Sequence, residues 1–119
     1  MIAGNEGFFS AGADLHEIAG LTAASAYEFS RIGQAWMGVI EGFPAPVFAA
    51  VSGFCMGGGL DLALACHVRF AATSGHRGAT LGLLTGWGGT QRLARLLGPA
   101  RTLELLATGE RVSAPMPGG

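Results

Sequence analysis

A continuous apolar run, Val47-Phe48-Ala49-Ala50-Val51, leads through Ser52-Gly53-Phe54-Cys55-Met56 into three consecutive glycines, Gly57, Gly58 and Gly59. An apolar run of strand length, without polar alternation, reads as a strand covered on both faces. The residues after the glycines predict a helix over about 60–66. A buried strand, a glycine turn and a helix in that order restrict the chain to layered α/β architectures. Such a turn presents bare backbone N–H groups at the positive end of a helix dipole. It is suited to hold an anion, either a phosphate or the oxyanion of a reacting carbonyl. A carboxylic acid, Asp61, follows two residues later.

The rest of the chain supports the α/β reading. Residues 1–3 read as the end of a strand, 4–7 as a turn, and 8–15 as a short extended piece that breaks at Gly12. A helix is predicted over 22–41, capped by Thr22 or Ser25. On it Tyr27, Phe29, Ile32, Trp36, Met37 and Ile40 recur at near-helical spacing, which assigns them to the core. Phe43-Pro44-Ala45-Pro46 stops that helix. Residues 68–72 read as a second strand and 73–80 as a polar loop. Thr90 is the expected cap of a helix over 91–97, Gly98-Pro99 breaks it, and a further helix over 100–107 stops at Gly109. Arg111-Val112-Ser113-Ala114 opens another element before a Pro/Gly-rich tail at 115–119. No sequence repeat and no domain boundary is visible within residues 1–114.

Composition narrows the function. A chain of 119 residues suffices for one small domain. Half of it is hydrophobic and only 13% is charged, too little to solvate a whole surface, so wide interfaces or a larger body are expected. A net charge of −1 gives no field to attract nucleic acid or an anionic membrane. All seven basic residues other than histidine are arginine, which excludes a lysine Schiff base and a P-loop lysine. Gly-x-Gly-x-x-Gly and Gly-x-Ser-x-Gly are absent from the relevant turns. His16, His67 and His76 lack metal-ligand spacing and read as loop or helix-end residues, so no metal site is expected. Cys55 and Cys66 read as buried, reduced thiols. No run of about 18 apolar residues indicates a membrane span, and the start lacks a basic leader, so a cytoplasmic location is expected.

Two separated segments carry a family resemblance. Phe9-Ser10-Ala11-Gly12-Ala13-Asp14-Leu15 and Val51-Ser52-Gly53-Phe54-Cys55-Met56-Gly57-Gly58-Gly59-Leu60-Asp61-Leu62-Ala63 resemble the two oxyanion segments of the crotonase superfamily, the enoyl-CoA hydratase/isomerase family. Gly86-Trp87-Gly88-Gly89-Thr90-Gln91-Arg92-Leu93 and residues 106–114 also fit, so the resemblance runs over nearly all of residues 1–114. It implies a spiral of β-β-α units, incomplete at both ends, and assembly into a homo-oligomer, trimer or hexamer.

The resemblance also implies chemistry. The substrate is an acyl-CoA thioester, with coenzyme A as part of the substrate and no separate cofactor. The backbone N–H groups of Ala13 and Gly58 form the oxyanion hole, and Asp61 is the catalytic carboxylate. Ala11, Gly12, Asp14, Leu15 and Gly57 border the substrate. A second glutamate is expected at the position held here by Gly78, and no acid occurs between Asp61 and Glu104. The implied reaction is hydration of the 2,3 double bond of an enoyl-CoA. Isomerisation of an enoyl-CoA, another crotonase-type reaction, or acyl-CoA binding without catalysis are the alternatives.

Overall fold

The computed structural model describes residues 1–5, 7–71, 73–75 and 86–113. The apolar run forms β3 (Phe48–Val51), the middle strand of a three-stranded parallel sheet between β1 (Ile2–Ala3) and β5 (Val68–Ala71). Ile2 stands opposite Ala49, and Ala50 opposite Phe70. β2 (Phe8–Ser10) pairs in parallel with β4 (Phe54–Cys55). β6 (Thr73–Gly75) pairs antiparallel with β7 (Arg111–Ser113). The helices are α1 (Leu15–Ala19), α2 (Ala23–Glu41), α3 (Gly58–Ala65), α4 (Gly89–Leu97) and α5 (Pro99–Thr108).

The order is a repeated two strands and helix. β1 and β2 precede α1 and α2, β3 and β4 precede α3, and β5 and β6 precede α4. The first strand of each unit adds beside the previous one in a single parallel sheet, and β2 and β4 do the same in a second. Parallel neighbours need a crossover, and the helices supply it. This is the expected spiral of β-β-α units. Its repeat is invisible in sequence because strand stacking is fixed by backbone pairing and tolerates different side chains in each turn.

A core of mostly small residues lies between the sheets and α3: Ala49, Val51, Cys55, Leu60, Ala63 and Cys66, closed by Leu93 of α4. Small side chains let α3 approach the strands closely. Arg69 reaches back from β5 and donates from Nη1 to the Cys66 carbonyl at 2.7 Å, and to those of Ala63 and Leu64 at 3.4 Å. A cation on the last carbonyls of a helix complements its dipole. His67 ties three elements together: its Nδ1 accepts from the Val47 N–H at 2.9 Å. That leaves the ring proton on Nε2, which donates to the Glu41 carbonyl at 3.0 Å.

α2 is capped by Thr22, one of the two residues expected: its hydroxyl accepts from the Ser25 N–H, and the Ser25 hydroxyl accepts from the Thr22 N–H. Other expectations are corrected. Of the apolar residues of α2 Met37 is buried, but Tyr27 and Trp36 are 73% and 65% exposed and Ile32 is also exposed. Their spacing does mark one helix, but the described residues present no layer against that face. Leu15 opens α1 and does not extend β2, because Asp14 caps that helix by accepting from the His16 N–H at 2.8 Å. α3 starts at Gly58, two residues before the predicted start at 60. α4 is led by Gly88 at φ +96° without a side-chain cap, and Thr90 lies inside it. Residues 73–75, read as loop, are strand β6, because they pair with β7, far along the chain. A three-residue polar strand leaves no alternation to detect.

Cys55 and Cys66 are both buried and free, as expected. Burial pushes the Cys55 thiol up to about 11, from an ordinary value of 9.0, and the negative charge of Asp61 adds to it. The fold therefore favours the neutral thiol. The associated stability is fully present below pH 9 and is lost as pH rises towards 11, at about 1.4 kcal/mol per unit. A denaturant midpoint that falls over this range in the parent, and falls less steeply in Cys55→Ala, is the expected result. Native protein at pH 8 is expected to resist iodoacetamide at Cys55.

Candidate functional site

The two segments singled out in the sequence meet because β2 and β4 are neighbours. The Met56 N–H donates to the Ser10 carbonyl at 2.9 Å, continuing the ladder past the last strand residue. Both chains then turn at a left-handed glycine, Gly12 at φ +94° and Gly57 at φ +55°. Such angles are strained for any residue with a Cβ. The backbones also approach too closely for side chains. A Cβ on Gly12 would lie 2.8 Å from Gly58 N and 3.0 Å from the Met56 oxygen. One on Gly59 would lie 2.6 Å from the Ser10 Cβ. The Gly12 N–H is held by the Ser10 hydroxyl at 3.2 Å, which tightens the first turn.

Two backbone donors stand at this junction. Ala13 follows Gly12, and Gly58 is the first residue of α3. Among the described residues nothing accepts a hydrogen bond from either N–H, whereas Gly59 and Leu60 donate to Met56 and Gly57 carbonyls at 2.9 and 3.0 Å. The α3 dipole points its positive end at the same place. Backbone N–H groups left without an acceptor among the described residues, at a helix start, are of the kind that can receive an anion.

Asp61 is the fourth residue of α3 and is 1% exposed. A carboxylate in the first turn is favoured by the helix dipole. Its burial removes it from bulk water, which strengthens its electrostatic influence on whatever lies beside it. Gly57, Gly58 and Asp61 therefore share one turn, and Gly12, the residue before Ala13, sits against it. Ala11 and Asp14 flank these residues at exposed positions, and Leu15 is 54% exposed. Gly78 lies outside the described residues, as does His76.

Trp87, for which the sequence implies no role, also lies at the site. The indole of Trp87 lies between Gly33 of α2 and Gly58 of α3. A Cβ on Gly33 would come 2.6 Å from Trp87 Cγ, and one on Gly58 would come 2.6 Å from Trp87 Cε3. Phe29 packs on the ring with centroids 5.4 Å apart. The segment is tied to α2 by Gln34 Nε2, which donates to the Gly86 carbonyl at 2.8 Å. Arg92 donates to the Trp87 carbonyl at 3.3 Å while pairing with Glu41 at 2.9 Å. The available signal was a large aromatic residue between glycines, Gly86-Trp87-Gly88.

Among the described residues no helix is long and apolar enough to cross a membrane.

Comparison with known proteins agrees with this geometry. The sequence pattern of the family described as Enoyl-CoA hydratase/isomerase matches residues 1–115. The chain is 44% identical over 117 residues to a protein of Bacillus subtilis (strain 168) named probable enoyl-CoA hydratase, covering 95% of this chain and 45% of that protein. It is 50% identical over 113 residues to the human enoyl-CoA hydratase domain-containing protein 2, mitochondrial, covering 92% of this chain and 39% of that one. The crystal structure of an enoyl-CoA hydratase from Bacillus anthracis superposes with a TM-score of 0.83 at 43% identity, over 93% of this chain and 44% of that one. The enoyl-CoA hydratase from Thermoplasma volcanium GSS1 gives a TM-score of 0.89 at 34% identity, over 94% and 46% of the two chains. The chain thus spans less than half the length of these relatives. The paired glycine turns, the strand–turn–helix that carries Asp61, and the matched pattern together mean that this chain belongs to the enoyl-CoA hydratase/isomerase family, with the crotonase fold.

Proposed function

We propose that the gene product containing this chain is an enoyl-CoA hydratase, which adds water across the 2,3 double bond of an acyl-CoA thioester. The observation that supports the reading is the close approach of the Gly12 and Gly58 turns, where the Ala13 and Gly58 N–H groups meet no acceptor among the described residues, beside the buried Asp61 carboxylate. Adding hydroxide to C3 moves the π electrons onto the thioester oxygen. The Ala13 and Gly58 N–H groups stabilise that oxyanion, at about 3 kcal/mol per donor. Asp61 takes the proton from the attacking water as its oxygen bonds to C3. When the enolate collapses, a proton returns to C2. With glycine at the position of the expected second glutamate, Asp61 carries both transfers. Ala11, Gly12, Asp14, Leu15 and Gly57 border the bound thioester.

The substrate carries coenzyme A, and no separate cofactor enters this route. The exposed Tyr27, Trp36, Phe70 and Leu103 suit burial in a homo-oligomer.

The test is a direct assay of the whole gene product. Loss of the conjugated absorbance of a trans-2-enoyl-CoA, with formation of the 3-hydroxyacyl-CoA, is the expected outcome. A 3-enoyl-CoA run in parallel reads isomerisation. Turnover of that substrate alone would replace hydration by isomerisation, and tight acyl-CoA binding with no turnover of either would make the chain a binding module.

A further inference from the structure

The Trp87 indole fills a slot that two glycines create on two different helices. Gly33 lies buried in the middle of α2, where glycine costs about 0.5–1 kcal/mol relative to alanine. Space for the ring accounts for it, since a Cβ there would meet the pyrrole side of the indole. The benzene side meets Gly58 in the same way, on the residue whose N–H is the proposed oxyanion donor. Phe29 supports the ring from α2, and Gln34 and Arg92 hold the backbone on either side of it. α2 is 19 residues long and capped at its start, so it is a firm base for the wedge.

We propose that Trp87 is a positioning residue for the oxyanion hole: wedged between Gly33 and Gly58, it braces the first residue of α3 against α2 and so aims the Gly58 N–H at the thioester oxygen. The proposal rests on the hydratase reading above and extends it to a residue that does not itself donate or accept a proton. Glycine is the most pliable residue available for a turn, and three in succession leave the donor's direction poorly determined by the chain itself. Packing from outside must supply the rigidity that a preorganised donor needs.

Two readouts on the whole gene product separate this role from simple stabilisation. The first is kinetic. Trp87→Ala is expected to lower kcat on a trans-2-enoyl-CoA by about 10- to 100-fold, with KM within about threefold, and Trp87→Phe to recover most of it. Gly33→Ala, which improves the helix propensity of α2, is expected to lower kcat as well by pushing the ring. The second readout needs no turnover. The infrared carbonyl stretch of bound butyryl-CoA, carbon-13 labelled at the thioester, is expected to shift to lower frequency in the parent and to lose at least half of that shift in Trp87→Ala.

A parent-like shift and kcat in Trp87→Ala would overturn the proposal and leave the hydratase reading intact. So would a loss of kcat matched by the loss of folded protein in circular dichroism. If the parent bound butyryl-CoA with no shift, the oxyanion reading itself would fall, and this inference with it.

Discussion

Asp61→Asn is expected to lower kcat for hydration of a trans-2-enoyl-CoA by about 10²- to 10⁴-fold, the range for removing a group that transfers the proton in the transition state. Asparagine keeps the size and the hydrogen-bonding shape of aspartate but cannot accept the proton of the attacking water. The residue lies buried in the first turn of α3, so the change also removes a favourable dipole interaction, and the fold is checked beside the kinetics. The oxyanion donors are backbone groups on Ala13 and Gly58, so the affinity for a saturated acyl-CoA should change little. Stopped-assay kinetics, calorimetric binding of butyryl-CoA and a thermal melt give the three numbers. Unchanged kcat would remove Asp61 from the chemistry and leave it as a dipole cap.

Gly12→Ala should damage both stability and activity, and its effect can be divided. The left-handed backbone angle alone costs about 1–3 kcal/mol for a residue with a Cβ. The added carbon would also press on Gly58 N and the Met56 oxygen, at 2.8 and 3.0 Å, which are backbone atoms and cannot rotate away. The turns that carry Ala13 and Gly58 must then separate, and each N–H leaves the shared oxygen. Gly7→Ala provides the comparison. Gly7 has a similar angle, φ +88°, but open space where its Cβ would go. It is expected to lose stability through backbone strain and to keep its kcat, while Gly12→Ala loses more stability and at least about tenfold in kcat. Equal losses in the two variants would mean that the close approach of the segments does not matter.

The glycine turns of the candidate site were legible in sequence because they are local, whereas the roles proposed for Ala13, Gly58 and Asp61 come from the family resemblance. Turns with a positive φ and close backbone contacts favour positions without a Cβ, and glycine is the one residue that records this in its identity. Gly12, Gly57, Gly58 and Gly59 are all located at turns or close contacts. Asp61 was legible because it stands a fixed number of residues from that turn on one helix. Trp87 was not assigned, because its partners Gly33 and Gly58 lie on separate elements and nothing in residues 86–93 points to them. The exposed face of α2 was misassigned for a related cause. Periodicity identifies a helix face that is apolar, and burial further requires a layer opposite it, which Tyr27 and Trp36 lack among the described residues. β6 escaped because a strand of three residues exists through its partner β7 rather than through its own pattern.

By itself, then, the sequence determined the local conformations that carry chemistry: a buried apolar strand, a turn only glycine can make, and a carboxylate one helical turn beyond it. Tertiary structure decided which turns face one another. β2 and β4 pair through backbone hydrogen bonds that any residues can form, so their adjacency leaves no trace in composition or period. That adjacency brings Gly12 against Gly58, and the Trp87 wedge packs Gly58 against α2. Each contact joins residues far apart in the chain, and only the packed fold selects them.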